Sequence, residues 1–188
     1  MDNSIIRMPK ERSLFFTEQV DQTTISSITK KIVEINDDDE LLCQQANLIG
    51  FKYEPKPIKL YIDSYGGSIY QCMSLVSVIE NSKVPVHTIC MGAAMSAGFI
   101  ILISGHKRFA YKYSTPLYHQ ASTLLFGTIK TIEEDVAETK RLQKIIEKMT
   151  LEKTRISKEK LKEVYEKKLD WYMTAEEALK LSVVDEIL

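Results

Sequence analysis

"IKLYIDSYGGSIYQCMSLVSVIEN", residues 58–81, is followed two residues later by "VPVHTICMGAAMSAGFIILIS", residues 84–104. Each stretch opens on β-branched and other apolar residues, passes through glycine, and then turns helical in character. Ile58–Ser64 reads as a buried strand, Gly66-Gly67 as a turn, and Ile69 to about Asn81 as a helix. Val84–Cys90 reads as the next strand, and Ala94–Ser104 has the small, apolar make-up of a fully buried helix. Strand, turn and helix, twice in succession, is the rhythm of a parallel sheet covered by helices, an α/β fold.

The pattern extends outward in both directions. Ser13–Val20, "SLFFTEQV", predicts a short strand, and Ile25, Ile28, Ile32 and Ile35 follow at helical spacing. "NDDDE", residues 36–40, predicts an acidic break, and Leu41–Pro57, with Pro55 and Pro57, a loop or insertion. On the other side, "KRFAY" and "TPLYHQ" predict two short strands. From Ile129 to Lys153 one long helix carries Ile132, Val136, Leu142, Ile145, Ile146 and Met149 on a single stripe. Its acids come first and its bases later, in keeping with the helix dipole. Ser157 is placed to cap a second helix, and Thr174 with Glu177 fits a capping box.

Composition bounds the function. The chain has 188 residues, 44% hydrophobic and 27% charged, with a net charge of −1. That size suits one domain over 1–188, and that charge gives no long-range attraction to nucleic acid or anionic lipid. The opening residues lack an apolar run, so neither a secretory signal nor a transit peptide is expected. The longest apolar run, Phe99–Ile103, is too short to span a bilayer. Cys43, Cys72 and Cys90 show no CxxC spacing, which argues against a zinc site or a disulfide framework and fits reduced thiols in a cytoplasmic protein. No Walker A loop, GxGxxG or HExxH is present.

Four features carry candidate chemistry. Ser96 sits where a glycine-containing turn leads from strand to helix, among alanines, glycines and methionines. Such a position offers a nucleophile, unpaired N–H groups at the helix start, and room for a substrate backbone. Alone, a serine among small residues is more often a packing residue. His119 ends the strand "TPLYH" at its handover to a loop, a good place for a general base; His87 and His106 read as structural or exposed. Asp170 lies just ahead of the capped helix, between Leu169 and Trp171, where it can orient an imidazole or merely serve the helix start. Gly66-Gly67 after a strand can turn an N–H toward a reacting oxygen, or simply make a tight turn.

The order and spacing of "DSYGGS", "TICMGAAMSAG", "YHQ" and "LDWYMTAEEALKLSVVDEI" resemble those of the proteolytic subunit family of the Clp protease. The resemblance covers roughly Arg12–Leu188. It implies a crotonase-like spiral of ββα units with the helix around 129–153 projecting as a handle. It implies an ATP-dependent serine endopeptidase with Ser96 as nucleophile, His119 as general base and then acid, and Asp170 fixing the imidazole tautomer. It places the oxyanion hole at the N–H groups of Gly67 and Ala97, and substrate contacts at Gly66, Gly67, Ser68 and Gln120. The implied partners are a Clp-type AAA+ ATPase unfoldase, unfolded polypeptides, and further copies of the chain in two stacked heptameric rings. No cofactor, metal, nucleic acid or membrane enters this picture.

Several positions depart from the family pattern. Tyr65 stands for the proline before Gly66, Ala97 for the methionine after the nucleophile, and Ala121 for the proline after His-Gln; "STLLFG" replaces a glycine-rich loop. The stretch from about Asp37 to Lys56 is longer than is typical. Rival readings are a ring-forming pseudoenzyme, a crotonase-type acyl-CoA enzyme, and a membrane-associated Ser/Lys peptidase, the last disfavoured by the lack of an anchor.

Overall fold

The computed structural model describes residues 11–188, so the reading of residues 1–10 as free of a leader lies outside the described residues. The chain begins with β1 (Ser13–Phe16) and α1 (Gln22–Leu48), then β2 (Ile58–Ser64), α2 (Ile69–Glu80), β3 (Val86–Met95) and α3 (Ala97–Ile103). It continues through β4 (Lys107–Ala110), β5 (Thr115–Tyr118), α4 (Ile129–Lys153), α5 (Lys158–Lys167), β6 (Trp171–Tyr172), α6 (Ala175–Lys180) and β7 (Glu186–Ile187). Strands β1-β2-β3-β4-β7 lie side by side, all parallel. Ile58, Leu60 and Ile62 alternate inward along β2, and Leu75, Ile79, Phe99 and Ile101 from the covering helices meet them in one core.

The pivotal element is β3. Its first half, His87–Cys90, pairs with Lys107–Ala110 of β4, but its second half, Ala93–Met95, pairs with Thr115–Leu117 of β5. The change of neighbour coincides with a register shift against β2 between Ile62 and Ser64. There the Asp63 carboxylate accepts the Ala93 N–H at 2.8 Å, holding the second half of β3 after the irregularity. The strand expected over Val84–Cys90 therefore runs five residues further, to Met95, and the helix expected from Ala94 starts only at Ala97. Small residues at Gly92-Ala93-Ala94 look helical by composition, yet here they let neighbouring strands approach closely.

The expected break and loop after Asn36 are a second correction. Helix α1, capped by Asp21, continues through the acidic run to Leu48. Asp39, which faces inward, is only 2% exposed and is neutralised: Arg12 Nη1 donates to it at 2.7 Å and Tyr53 Oη at 2.7 Å. The same guanidinium donates to the Lys56 carbonyl, pinning the extended segment that follows Gly50 against α1. An acidic run ends a helix only when its charge is uncompensated, and the compensating arginine lies 27 residues away in sequence.

Other expectations match closely. Strand β2 and helix α4 have the expected limits, Ser157 caps α5, and Thr174 with Glu177 forms the reciprocal capping box of α6. The apolar stripe of α4 is buried only in its second half, at Leu142 and Ile146, while Ile129 near its start is 79% exposed. The first half is thus the more exposed part of the helix, held to α2 where Tyr70 Oη donates to Glu138 at 2.7 Å. Among the described residues no helix is long and apolar enough to cross a membrane.

Candidate active site

Ser96 occupies the junction between β3 and α3. Its backbone has φ 56° and ψ −119°, a conformation that L-residues rarely adopt, and its side chain does not cap the helix. Such strain persists only where the surroundings enforce it. Gly66 enforces it from behind: a Cβ there would lie 2.7 Å from both the Met95 carbonyl and the Ser96 Cβ. Only glycine, at φ 101°, lets the two turns touch. From the front, the Ser96 N–H donates to the Leu117 carbonyl at 3.0 Å, continuing the β3–β5 pairing by one step. The serine is therefore gripped by backbone on both sides, with its hydroxyl left over.

The second flank is made by β5 and β6. These strands are antiparallel, with Leu117 opposite Tyr172 and Tyr118 opposite Trp171. One register step further puts His119 opposite Asp170, where Nδ1 and Oδ1 lie 3.0 Å apart. A carboxylate acceptor at that distance holds the proton on Nδ1 and leaves Nε2 as the basic nitrogen. The β5–β6 register thus does for these two residues what helical spacing does elsewhere: it makes neighbours of residues 51 apart. Because β5 pairs with both β3 and β6, the ends of three strands bring Ser96, His119 and Asp170 to one edge of the sheet.

Ser96 and His119 line one small cavity of about 50 Å³, together with Gly67, Ala97 and Gln120. Its inner walls are Ile69, Cys72 and Met73 from α2, Ile100 from α3, Tyr118, and Ile146 from α4. The hydrogen bonds described for Ser96 are made by its backbone; none joins its hydroxyl to His119. The N–H groups of Gly67 and Ala97 likewise have no backbone acceptor among the described residues. Gly66 stands behind the nucleophile position rather than in the cavity wall. Ser68 accepts the Gln71 N–H and caps α2, and it lines the neighbouring cleft that runs past Tyr70 and Leu124. The 66–68 turn is held from outside by Val20, whose N–H donates to the Gly66 carbonyl and whose carbonyl accepts from Ser68.

The cavity holds a second potential nucleophile, Cys72, and the structure argues against it. Burial pushes its thiol up to about 12, so it carries no thiolate near neutrality, and it donates instead to the Ala97 carbonyl at 3.3 Å. The remaining histidines are structural, as their positions suggest. His106 Nδ1 accepts the Val86 N–H at 3.0 Å, and His87 leans on Phe109 with its pKa pushed down by burial and by Lys107.

A glycine-wedged serine and a histidine line one cavity, with an aspartate bonded to the histidine. The family model for Clp protease matches residues 1–188. The chain belongs to the Clp protease family. That membership gives it the crotonase-like α/β fold, with which its sheet and covering helices agree. The chain is similar to the ATP-dependent Clp protease proteolytic subunit of Deinococcus radiodurans, 28% identical over 184 residues, 97% of this chain and 82% of that protein. It resembles subunit 1 of the same name from Borreliella burgdorferi at 28% identity, covering 97% of this chain and 87% of that protein. The subunit from Borrelia garinii is 29% identical over the same shares. As a member of the Clp protease family, the chain is a peptidase by kinship.

Sequence reasoning missed the walls of the cavity. Ile69, Cys72 and Met73 are the inward i, i+3, i+4 face of α2, and Ile146 belongs to the stripe already seen on α4. Tyr118 gave no signal of its own as a wall residue.

Proposed function

We propose that this chain is a serine endopeptidase subunit in which Ser96, His119 and Asp170 act as a triad. The observation that carries this reading is the His119–Asp170 contact at 3.0 Å, with the same imidazole and Ser96 lining one cavity. In the proposed mechanism, substrate binding brings Nε2 and the Ser96 hydroxyl within hydrogen-bond reach, a distance that commonly shortens only in the substrate complex. Nε2 takes the hydroxyl proton as Oγ attacks the peptide carbonyl. The negative charge on the former carbonyl oxygen is met by the N–H groups of Gly67 and Ala97. The C–N bond then breaks, the amine leaves with the proton from His119, and water repeats the sequence on the acyl-enzyme. Asp170 stays ionised and stabilises the imidazolium.

The names of the similar proteins support an ATP-dependent setting. In this reading a separate Clp-type ATPase unfolds polypeptides and delivers them, and copies of the chain enclose the active sites in two stacked heptameric rings. The more exposed first half of α4 supplies the contact between rings. Gly67, Ser68 and Gln120 meet the extended substrate backbone in the cytoplasm, while Gly66, expected among them, packs behind Ser96 instead. The family match favours peptide over acyl-CoA substrates.

Labelling with a fluorophosphonate probe, peptidase assay and native mass test these points together. The wild type is expected to be labelled at Ser96, and Ser96→Ala to lose about a millionfold in kcat with unchanged mass. Retained turnover in the variant removes the nucleophile assignment. An unlabelled wild type, in the presence of the ATPase, makes the chain an inactive ring subunit.

A further inference from the structure

Helix α4 places a buried polar side chain beside the exit of β5, outside the proposed triad. Gln143 is 7% exposed. Its Oε1 accepts the Ala121 N–H at 2.7 Å, and its Nε2 donates to Glu147 Oε1 at 2.8 Å, one turn further along α4. Ala121 is two residues past His119, beyond the end of β5, where the strand ladder no longer fixes the backbone. Between Tyr118 and the start of α4 at Ile129, the Gln143–Ala121 bond ties the departing chain to α4, beside the bond that His119 itself makes to Asp170. A buried amide oxygen taken up by an N–H is costly to remove, because both groups then lie unpaired.

The surroundings leave little alternative support. Tyr118, immediately before His119, is buried; its hydroxyl makes no well-formed hydrogen bond, and burial pushes it up to about 12 while the neighbouring Gln143 amide draws it back. Tyr118 contributes packing through its edge contact with Phe99 at 5.6 Å between ring centres, and its polar neighbour is again Gln143. Ile146, one turn beyond Gln143, forms part of the cavity wall beside Ser96. The same helix face thus touches both the cavity and the strand exit that carries the histidine.

We propose that Gln143 is a positioning residue for His119, holding the His119–Ala121 segment at its working distance from Ser96 through the Ala121 N–H. The proposal rests on the reading of His119 as the base. It ties the orientation of the imidazole to the placement of α4, so that a displacement of the helix by about an ångström carries the His119 segment with it. A displacement of that size at a reacting group costs on the order of 100-fold in rate.

The test uses the assembled full-length protein and three sequences: wild type, Gln143→Leu, and the double variant Gln143→Glu with Glu147→Gln. The double variant exchanges donor and acceptor along α4 while keeping an oxygen for the Ala121 N–H. Gln143→Leu is expected to lower kcat for a short peptide, and the fluorophosphonate labelling rate at Ser96, by about 10- to 100-fold with KM changed less than 3-fold. The double variant is expected to recover to within about 3-fold of wild type, as no purely steric role predicts. The downfield proton resonance of His119 Nδ1–H, observed on labelled protein, is expected to broaden or vanish in Gln143→Leu and return in the double variant. Unchanged kcat and an unchanged resonance in a folded Gln143→Leu protein overturn the proposal. So does a loss that the double variant fails to restore. Where the wild type itself is inert, the peptidase reading fails, and the His119 resonance alone decides the positioning role.

Discussion

The two flanks of the cleft are built by different physics. On the β3–α3 side, Ser96 is set by backbone sterics: a positive φ, a glycine pressed against it, and a main-chain bond to Leu117. On the β5–β6 side, His119 is set by a side-chain contact to Asp170, whose side chain is 59% exposed. Sterics of the first kind are indifferent to salt, whereas an exposed charged partner is screened by water and ions. Ser96 is therefore rigid by construction, and His119 is the adjustable partner.

The comparison is broken most severely by removing the orienting carboxylate. Asp170→Asn is expected to lower kcat by up to about 10,000-fold, since an amide no longer enforces the Nδ1–H tautomer. Thermal stability should change little, because the lost contact is largely exposed. Peptidase kinetics beside a melting curve separate the two effects, and a kcat within 3-fold of wild type means that the imidazole is oriented by something else.

On the opposite flank the effect should appear in stability first. Gly66→Ala forces a Cβ to within 2.7 Å of the Met95 carbonyl at φ 101°. Backbone strain and overpacking together are expected to cost about 2–5 kcal/mol. Urea unfolding measures it, and a variant as stable as wild type shows that the β3–α3 junction yields.

A milder change sharpens the Asp170 side. The Thr174 side chain accepts the Glu177 N–H, while Glu177 accepts the Thr174 N–H at 2.8 Å. Thr174→Ala is expected to destabilise by about 1 kcal/mol. Because β6 lies between this cap and Asp170, kcat should fall less than 10-fold, as read from the same assays.

The smallest effect lies away from the cleft, at Asp185. Burial pushes its carboxyl up, but hydrogen bonds from the Arg108 side chain and N–H outweigh that and hold it below the ordinary carboxylate value. A carboxylate lowered on folding adds stability that is present above its unfolded pKa, about 3.9, and is lost as pH falls through the folded value. Asp185→Asn should therefore destabilise slightly at neutral pH and flatten the loss of stability below about pH 4. Melting curves across that range check it; an acid limb as steep as wild type sinks the assignment.

Much of the layout was legible in the sequence because local chemistry specified it. β-Branched and aromatic content marked β2, periodicity marked α4, and the caps at Ser157 and Thr174 marked the starts of α5 and α6. The failures arose where distant residues decided the outcome. Helix α1 crosses its acidic run because Arg12 and Tyr53 satisfy Asp39, and β3 stays extended through Gly92-Ala93-Ala94 because Asp63 and β5 pair with it. Neither partner adjoins the segment it controls.

The sequence by itself determined which residues were available for chemistry: one serine at a glycine-containing turn, one histidine at a strand end, one aspartate before a capped helix. Their types and local frames are short-range properties, fixed by propensity and capping. Only the tertiary structure decided that they share an edge. That outcome depends on β3 changing partners and on the β5–β6 register, pairings between segments tens of residues apart, which no local pattern encodes.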